Sequence, residues 1–206
     1  MRINPWDERY ATDEYVYGTE PNDFLRNEYH RIPKGGSVLC LADGEGRNGV
    51  FLAEQGYDVT SVDASSVGLA KARELAGARG VTITTKHADL TDFEMGEHLW
   101  DGIVSIFCHV PKEVREQLHH SVGRALRPGG VFILEAYTPD QPHNNTGGPP
   151  ATMSDRLVTE VLLKSELVSC NVIICRELTR EIHEGMLHNG HSAVVQCLAT
   201  TKETTR

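Results

Sequence analysis

The sequence predicts an α/β protein built on a doubly wound, mostly parallel sheet. Three observations predict it. Short apolar runs, such as residues 38–41 and 102–107, carry too little polarity to face water and alternate with segments of helical period. Breaks at Gly44-Glu45-Gly46, Gly56, Gly80 and Pro128-Gly129-Gly130 separate them. The last stretch changes style to two β-rich runs, which adds an antiparallel pair at the end of the sheet.

With 206 residues the chain has material for one sizeable core, so a single domain over 1–206 is expected. Hydrophobic residues at 39% and charged residues at 24% describe a globular chain rather than a disordered one. The formal charge of −9, from 29 acids against 20 bases, comes without a dense basic run. It would repel a nucleic-acid backbone or an anionic membrane, and neither is an expected partner. Cys40, Cys108, Cys170, Cys175 and Cys197 are odd in number, widely spaced and set in apolar runs, as expected of buried reduced thiols in the cytoplasm. The first residues lack a signal-peptide core, and no stretch reaches membrane-spanning length.

Residues 1–33 combine Trp6, Tyr10, Tyr15 and Tyr17 with a short helix carrying Phe24, Leu25 and Tyr29 after Pro21-Asn22. Such rings suit a lid over a ligand or a patch on the outside of the sheet, and both readings stand. A turn at 33–36 leads into a strand at 37–41. A helix over 47–55 stops at Gly56, and a strand follows at 58–62. Ser65 or Ser66 caps the next helix, with Leu69, Ala72, Leu75 and Ala76 at helical spacing before Gly80. A β-branched strand is expected at 81–85 and a central strand at 102–107. A helix over 112–127 shows Val114, Leu118, Val122 and Leu126 four apart, and Pro128-Gly129-Gly130 breaks it before a strand at 131–137. The loop at 138–152 is longer than a connection needs, which favours a binding role. A helix over 154–167 would place Leu157, Val158, Val161 and Leu162 on one side. Strands at 172–182 and 192–200 flank His188-Asn189-Gly190, whose Asn-Gly step predicts a tight hairpin turn. The tail 202–206 is expected to fray.

Gly44-x-Gly46-x-x-Gly49, followed at about 20 residues by Asp63, matches the fingerprint of a nucleoside-cofactor turn. The glycines admit close backbone approach, and the acid at a strand's C-terminal end can accept from a ribose diol. That leaves NAD and other nucleoside cofactors open. Asp89 could accept from an adenine amino group while the Leu90 backbone serves the ring, or it could cap a turn. His183, His188 and His191 follow no metal-binding pattern. They read as a solvated hairpin end, and no metal site is expected.

Residues 38–48, 59–63, Ala88-Asp89-Leu90, Trp100-Asp101-Gly102-Ile103-Val104 and 126–134 together resemble the Rossmann-like (class I) S-adenosylmethionine-dependent methyltransferases. Gly46-Arg47-Asn48, Trp6-Asp7-x-Arg9-Tyr10 and Tyr17-Gly18-x-x-Pro21-Asn22 resemble the tellurite-resistance-type group of small-molecule methyltransferases. The resemblance covers nearly the whole chain, and Arg127-Pro128-Gly129-Gly130 is its most specific piece. It implies a seven-stranded sheet of order 3-2-1-4-5-7-6 with the last strand antiparallel. It also implies S-adenosylmethionine as cofactor, S-adenosylhomocysteine as product and a small-molecule methyl acceptor. The cofactor site would comprise Ala42, Asp43, Gly44, Gly46, Arg47, Asp63, Ala64, Asp89 and Leu90. On this reading 1–33 is a lid-like segment, 34–137 the cofactor-binding core, and 138–206 a long loop, helix and closing hairpin.

His109, leaving the central strand at its C-terminal end, is the candidate base, or else it packs locally. Tyr10, Tyr17, His109 and Tyr137 are the substrate-site candidates, with Glu135, Asn145, Thr146 and Arg115 placed nearby by topology. Many relatives carry an acid where Cys40 stands and a glycine where Ala42 stands. Asp43 or Glu45 would then take over the charge role, the turn backbone would act alone, or the domain binds weakly. An NAD-dependent oxidoreductase and a non-catalytic cofactor-sensing domain are the alternatives, and monomer or dimer is left open.

Overall fold

The structure, a computed structural model, describes residues 4–144 and 146–202. Seven strands form one sheet in the order β3-β2-β1-β4-β5-β7-β6. They are β1 (Ser37–Leu41), β2 (Asp58–Asp63), β3 (Thr84–His87), β4 (Trp100–Ile106), β5 (Leu126–Tyr137), β6 (Cys170–His183) and β7 (Asn189–Thr201). Neighbours run parallel from β3 to β5, and β7 is antiparallel to both β5 and β6. The expected class and strand order are therefore present.

Both faces of the central strands are buried, which is why they read as unbroken apolar runs. Along β1 the period of two sends Leu39 and Leu41 to one cluster with Val114, Leu118 and Val122 of helix α5 (Lys112–Ala125). Val38 and Cys40 go to the other, with Phe24 and Leu25 of α2 (Asp23–Glu28) and Leu52 of α3 (Arg47–Glu54). Two further helices, α1 (Pro5–Tyr10) and α4 (Ser66–Ala78), pack against each other. Asn22 caps α2 by accepting from Leu25 N, and Ser65 caps α4 by accepting from Gly68 N.

Four local expectations differ. The third strand lies at Thr84–His87 rather than 81–85. It is the exposed edge next to β2, so pairing register overrides β-branched propensity. Strand β5 already begins at Leu126, where it pairs Trp100, and Pro128-Gly129-Gly130 is a bulge inside it rather than a break before it. The helix expected over 154–167 is instead a 3-10 turn at Ala151–Arg156 and a short helix α6 (Glu160–Glu166) capped by Thr159. Leu157 and Val158 are buried in extended chain between them, while Val161 is 77% exposed. Finally, Asn189 and Gly190 pair with His183 and Ile182 as the first rungs of β7. The reversal is made by residues 184–188, closed by Glu184 N donating to His188 O at 2.8 Å with Gly185 at φ +84°. The tail beyond Lys202 and the candidate Asn145 lie outside the described residues.

Candidate active site

A cavity of about 1010 Å³ opens over the C-terminal ends of β1, β2 and β4. That is the upper end of the range for small-ligand sites, about 300–1,000 Å³. Its floor is the turn after β1. Ala42 at φ +49°, Gly44 at φ +56° and Gly46 at φ +86° wind it tightly. A Cβ on Gly46 would stand 2.5 Å from the Ala72 Cβ. Glycine is therefore required there for the approach of α4. Asp63 ends β2 beside the turn, accepting from Gly44 N and Ser65 N at 2.8 Å each. Each carboxylate oxygen retains acceptor capacity toward a ligand. Burial raises its pKa. Ala42, Asp43, Gly44, Arg47, Asp63, Ala64, Asp89 and Leu90 all line the cavity, whereas Gly46 shapes the turn from behind. Asp89 also accepts from Thr91 N at 2.9 Å, so the turn-capping reading holds for one of its oxygens.

The two acids of the turn are both engaged. Asp43 is turned inward, accepting from the Ser61 hydroxyl at 2.6 Å and Gly49 N at 3.3 Å, and burial pushes its pKa up to about 7. Glu45 pairs with Lys71 at 2.5 Å and accepts from Tyr17 N. Cys40 is not among the lining residues and packs in the core with Leu52, Val59 and Val104.

The opposite wall is aromatic. Tyr10 lies over the turn, its hydroxyl 2.6 Å from where a Gly44 Cβ would stand. From it a chain of ring contacts runs Tyr10–Tyr17 at 6.2 Å, Tyr17–His188 at 4.5 Å, His188–Phe107 at 4.5 Å and Phe107–Tyr137 at 4.6 Å. The N-terminal rings Trp6, Tyr10 and Tyr17 thus form part of the cavity lining. His188 corrects the expectation of a solvated hairpin end. The five-residue reversal, not the Asn-Gly step, turns it inward, where it is 8% exposed and its Nδ1 has no hydrogen-bond partner among the described residues. Burial and the surrounding Arg47, His109, Arg9 and Arg180 drive its pKa well down. His183 and His191 are exposed as expected.

Several substrate-site candidates fall elsewhere. Tyr137 is fully buried behind Phe107 and does not line the cavity. Glu135 is fully buried in an ion pair with Arg180 at 2.5 Å and accepts from Asn22 and Gln196. Arg115 is buried against Glu166 at 2.9 Å beneath α6. Thr146 donates to the His191 carbonyl and stays outside the lining. His109 does line it, but Nδ1–H donates to the Arg156 carbonyl at 3.2 Å and Nε2 accepts from Tyr137 N at 3.5 Å. Burial lowers its pKa to about 4. Both ring nitrogens are occupied, as local packing requires. Sequence reasoning missed Arg9, His188, Leu187, Met153 and Arg156 as lining residues. Arg9 stood in the Trp6-Asp7-x-Arg9-Tyr10 motif without a site role, and the 138–152 loop reaches the lining through Gly147 to Pro150, short of Met153 and Arg156.

The sheet order and the glycine turn facing an acid at the end of β2 define the Rossmann-like fold of class I S-adenosylmethionine-dependent methyltransferases. Residues 38–130 match the family model described as a methyltransferase domain. The chain is similar to the 2-heptyl-1-hydroxyquinolin-4(1H)-one methyltransferase of Mycobacteroides abscessus, at 31% identity over 51% of this chain and 50% of that protein. It is also similar to the glycine/sarcosine N-methyltransferase of Halorhodospira halochloris, at 32% identity over 65% of this chain and 50% of that protein. A third relative, 29% identical over 48% of this chain and 40% of that protein, is the tRNA 5-carboxymethoxyuridine methyltransferase of Escherichia coli. The chain spans about half the length of the curated relatives it matches. Among solved structures, TehB from Haemophilus influenzae shares the fold with TM-score 0.68 and 22% identity over 96% of this chain and 66% of that one. So does a protein from work on the conversion of a disulfide bond into a thioacetal group during echinomycin biosynthesis. Its TM-score is 0.77, with 16% identity over 98% of this chain and 92% of that one.

Proposed function

We propose that this protein transfers the methyl group of S-adenosylmethionine to a small-molecule acceptor, and that it does so in the cytoplasm. The observation that carries the reading is Asp63 held by Gly44 N and Ser65 N at the edge of a cavity large enough for a nucleoside and a second molecule. In it Asp63 accepts from the ribose, Asp89 and Leu90 flank the adenine, and the backbone from Ala42 to Arg47 meets the amino-acid part. With Asp43 turned inward and Glu45 neutralised by Lys71, the turn backbone is the part left to do this. The formal charge of −9 supports an acceptor other than nucleic acid. Five free thiols support a reducing compartment. Among the described residues no helix is long and apolar enough to cross a membrane.

When bound, the cofactor supplies an activated methyl group, so the chain's contribution is to hold and orient the acceptor and to exclude water. Tyr10, Tyr17 and Phe107 close the wall against solvent. His109 and His188 are held neutral, which keeps two further cations away from a positively charged ligand. His109 acts here by fixing the Arg156 and Tyr137 backbones against the cavity, and not as a base. Calorimetric titration with S-adenosylhomocysteine tests the reading. The wild type should bind saturably, Asp63→Ala should weaken binding at least tenfold, and NADH should not bind. Equal affinity in the two proteins would remove Asp63 from the site, and NADH binding without a response to S-adenosylhomocysteine would favour an oxidoreductase.

A further inference from the structure

The cavity combines an apolar lining, a wall of rings and polar groups without internal partners of the matching kind. Its lining includes Trp6, Met153 and Leu187, which are 39%, 40% and 42% exposed although large and apolar. Exposed apolar groups on the lining of one cavity suit a ligand with an apolar body. Its inner wall is made of ring faces and edges, Tyr17, His188 and Phe107, in contact at 4.5 Å centroid distances. Flat apolar molecules pack best against such rings.

Within this apolar surround stand two polar features without internal partners of the matching kind. His188 Nδ1 is buried with no hydrogen-bond partner among the described residues. Arg156 lines the same cavity, and among the described residues its side chain is recorded only donating to the His109 carbonyl at 3.5 Å, with no carboxylate partner. Arg9, also on the lining, stands over the Trp6 ring at 4.8 Å and donates to the Tyr17 hydroxyl at 2.8 Å, whereas Arg47, Arg115 and Arg180 each have a carboxylate within 3 Å. A cation left without a counterion beside a ligand cavity is complementary to an anionic ligand.

Building on the methyl-transfer reading, we infer that the acceptor is a planar, lipophilic aryl hydroxyl acidic enough to bind as its anion, seated against His188 and Phe107 with Arg156 supplying the opposing charge. The acidity follows from the histidines. Both ring nitrogens of His109 are engaged, by the Arg156 carbonyl and the Tyr137 N–H, so it is not free to take the acceptor's proton. His188 Nδ1, without a partner among the described residues, can donate to an aryl oxide as its Nδ1–H tautomer, and Asp89 and Asp63 stand with the turn instead. An acceptor that arrives ionised needs no base. Arg156 then offsets its charge, and the apolar lining covers its apolar body.

The test uses the full chain with S-adenosylhomocysteine present and 7-hydroxycoumarin as probe, followed by its own fluorescence. 7-Methoxycoumarin has the same ring without an ionisable hydroxyl, and glycine and uridine stand for the other acceptor classes. The hydroxycoumarin should bind at least tenfold more tightly than the methoxy compound and than glycine or uridine, and Arg156→Gln should abolish the difference between the two coumarins. Equal binding of the two coumarins by the wild type overturns the inference without recourse to a variant. So does tighter binding of glycine or uridine, or a difference that survives in Arg156→Gln. Loss of S-adenosylhomocysteine binding in the wild type would instead overturn the methyl-donor reading on which the inference rests.

Discussion

At the scale of single residues, the turn after β1 holds two unusual choices with measurable consequences. Ala42 sits at φ +49°, where a residue with a Cβ costs about 1–2 kcal/mol and glycine does not. Glycine's freer unfolded chain returns about 0.4–1 kcal/mol of that. Ala42→Gly should therefore be neutral to stabilising, by at most ~1.6 kcal/mol in denaturant unfolding. A clear loss of stability would show that the alanine methyl has a packing role. Asp43 is the other choice. Its folded pKa is raised by burial to about 7, whereas an unfolded aspartate titrates near 4. Below that lower value both states are protonated and nothing is lost. As pH rises from about 4 to 7 the unfolded state ionises first, so stability falls through this window, by on the order of 4 kcal/mol at full extent. Asp43→Asn imitates the protonated form, since its carbonyl can accept from Gly49 N and its amide can donate to Ser61. The variant should gain on the wild type steadily between pH 4 and 7, and a constant difference across that window would refute the raised pKa.

At the scale of elements, what could be read from sequence was what depends on near neighbours. Ser37–Leu41, the glycine turn, the short helix after Asn22 and the cap at Ser65, one of the two serines expected there, stand where local chemistry put them, because each is settled within a few residues. Val158 shows the limit. It has helical spacing from Leu162 but is drawn into extended chain, where its N–H donates to the Tyr137 carbonyl at 3.0 Å. A partner on β5 thus decided against a full-length helix. His188 is the same lesson at the site. Its burial comes from Tyr17 and Phe107, far off in sequence, and nothing next to it announces them. The short α6 that results needs a tertiary anchor, and Glu166 provides it by meeting Arg115 at 2.9 Å and His119 at 2.6 Å. Burial would raise the Glu166 pKa, yet the hydrogen bonds from His119 and Arg115 carry it down to about 2. Its contribution is present above about pH 4.5 and is lost as the pH falls toward 2. Glu166→Ala strands a buried guanidinium, which typically costs about 3–5 kcal/mol. Thermal unfolding at pH 7 should fall by roughly 10 °C, and the gap to wild type should narrow in acid. An unchanged melting temperature would show that α6 is held by Leu163 and Leu167 alone.

At the scale of the whole molecule, the cavity has no single owner. The turn supplies its floor, the N-terminal segment and the reversal before β7 supply its walls, and the loop at 147–156 supplies its mouth. These parts are tied together by polar contacts at the cavity's back. Glu184 joins Arg47 of α3 at 2.6 Å to Arg180 of β6 at 2.8 Å, and so holds the reversal that carries His188 against the turn. Lys71 does the same for the N-terminal wall. Its ammonium donates to the carbonyls of Glu14 at 2.6 Å and Thr12 at 3.0 Å while pairing with Glu45 of the turn at 2.5 Å. Asp7 adds a second tie, accepting from the Ser65 hydroxyl at 2.6 Å. If the N-terminal segment is the lid of a methyl-donor site, its order should depend on Lys71 and on the ligand. Lys71→Met keeps the apolar stem and removes the charge that reads those carbonyls. In hydrogen exchange, residues 10–17 should open at least tenfold more readily in Lys71→Met, with β1 and β4 unaffected. S-adenosylhomocysteine should slow the same segment in the wild type and less in the variant. Equal protection in both proteins, with or without the ligand, would make the segment a fixed patch on the sheet rather than a cover for the site.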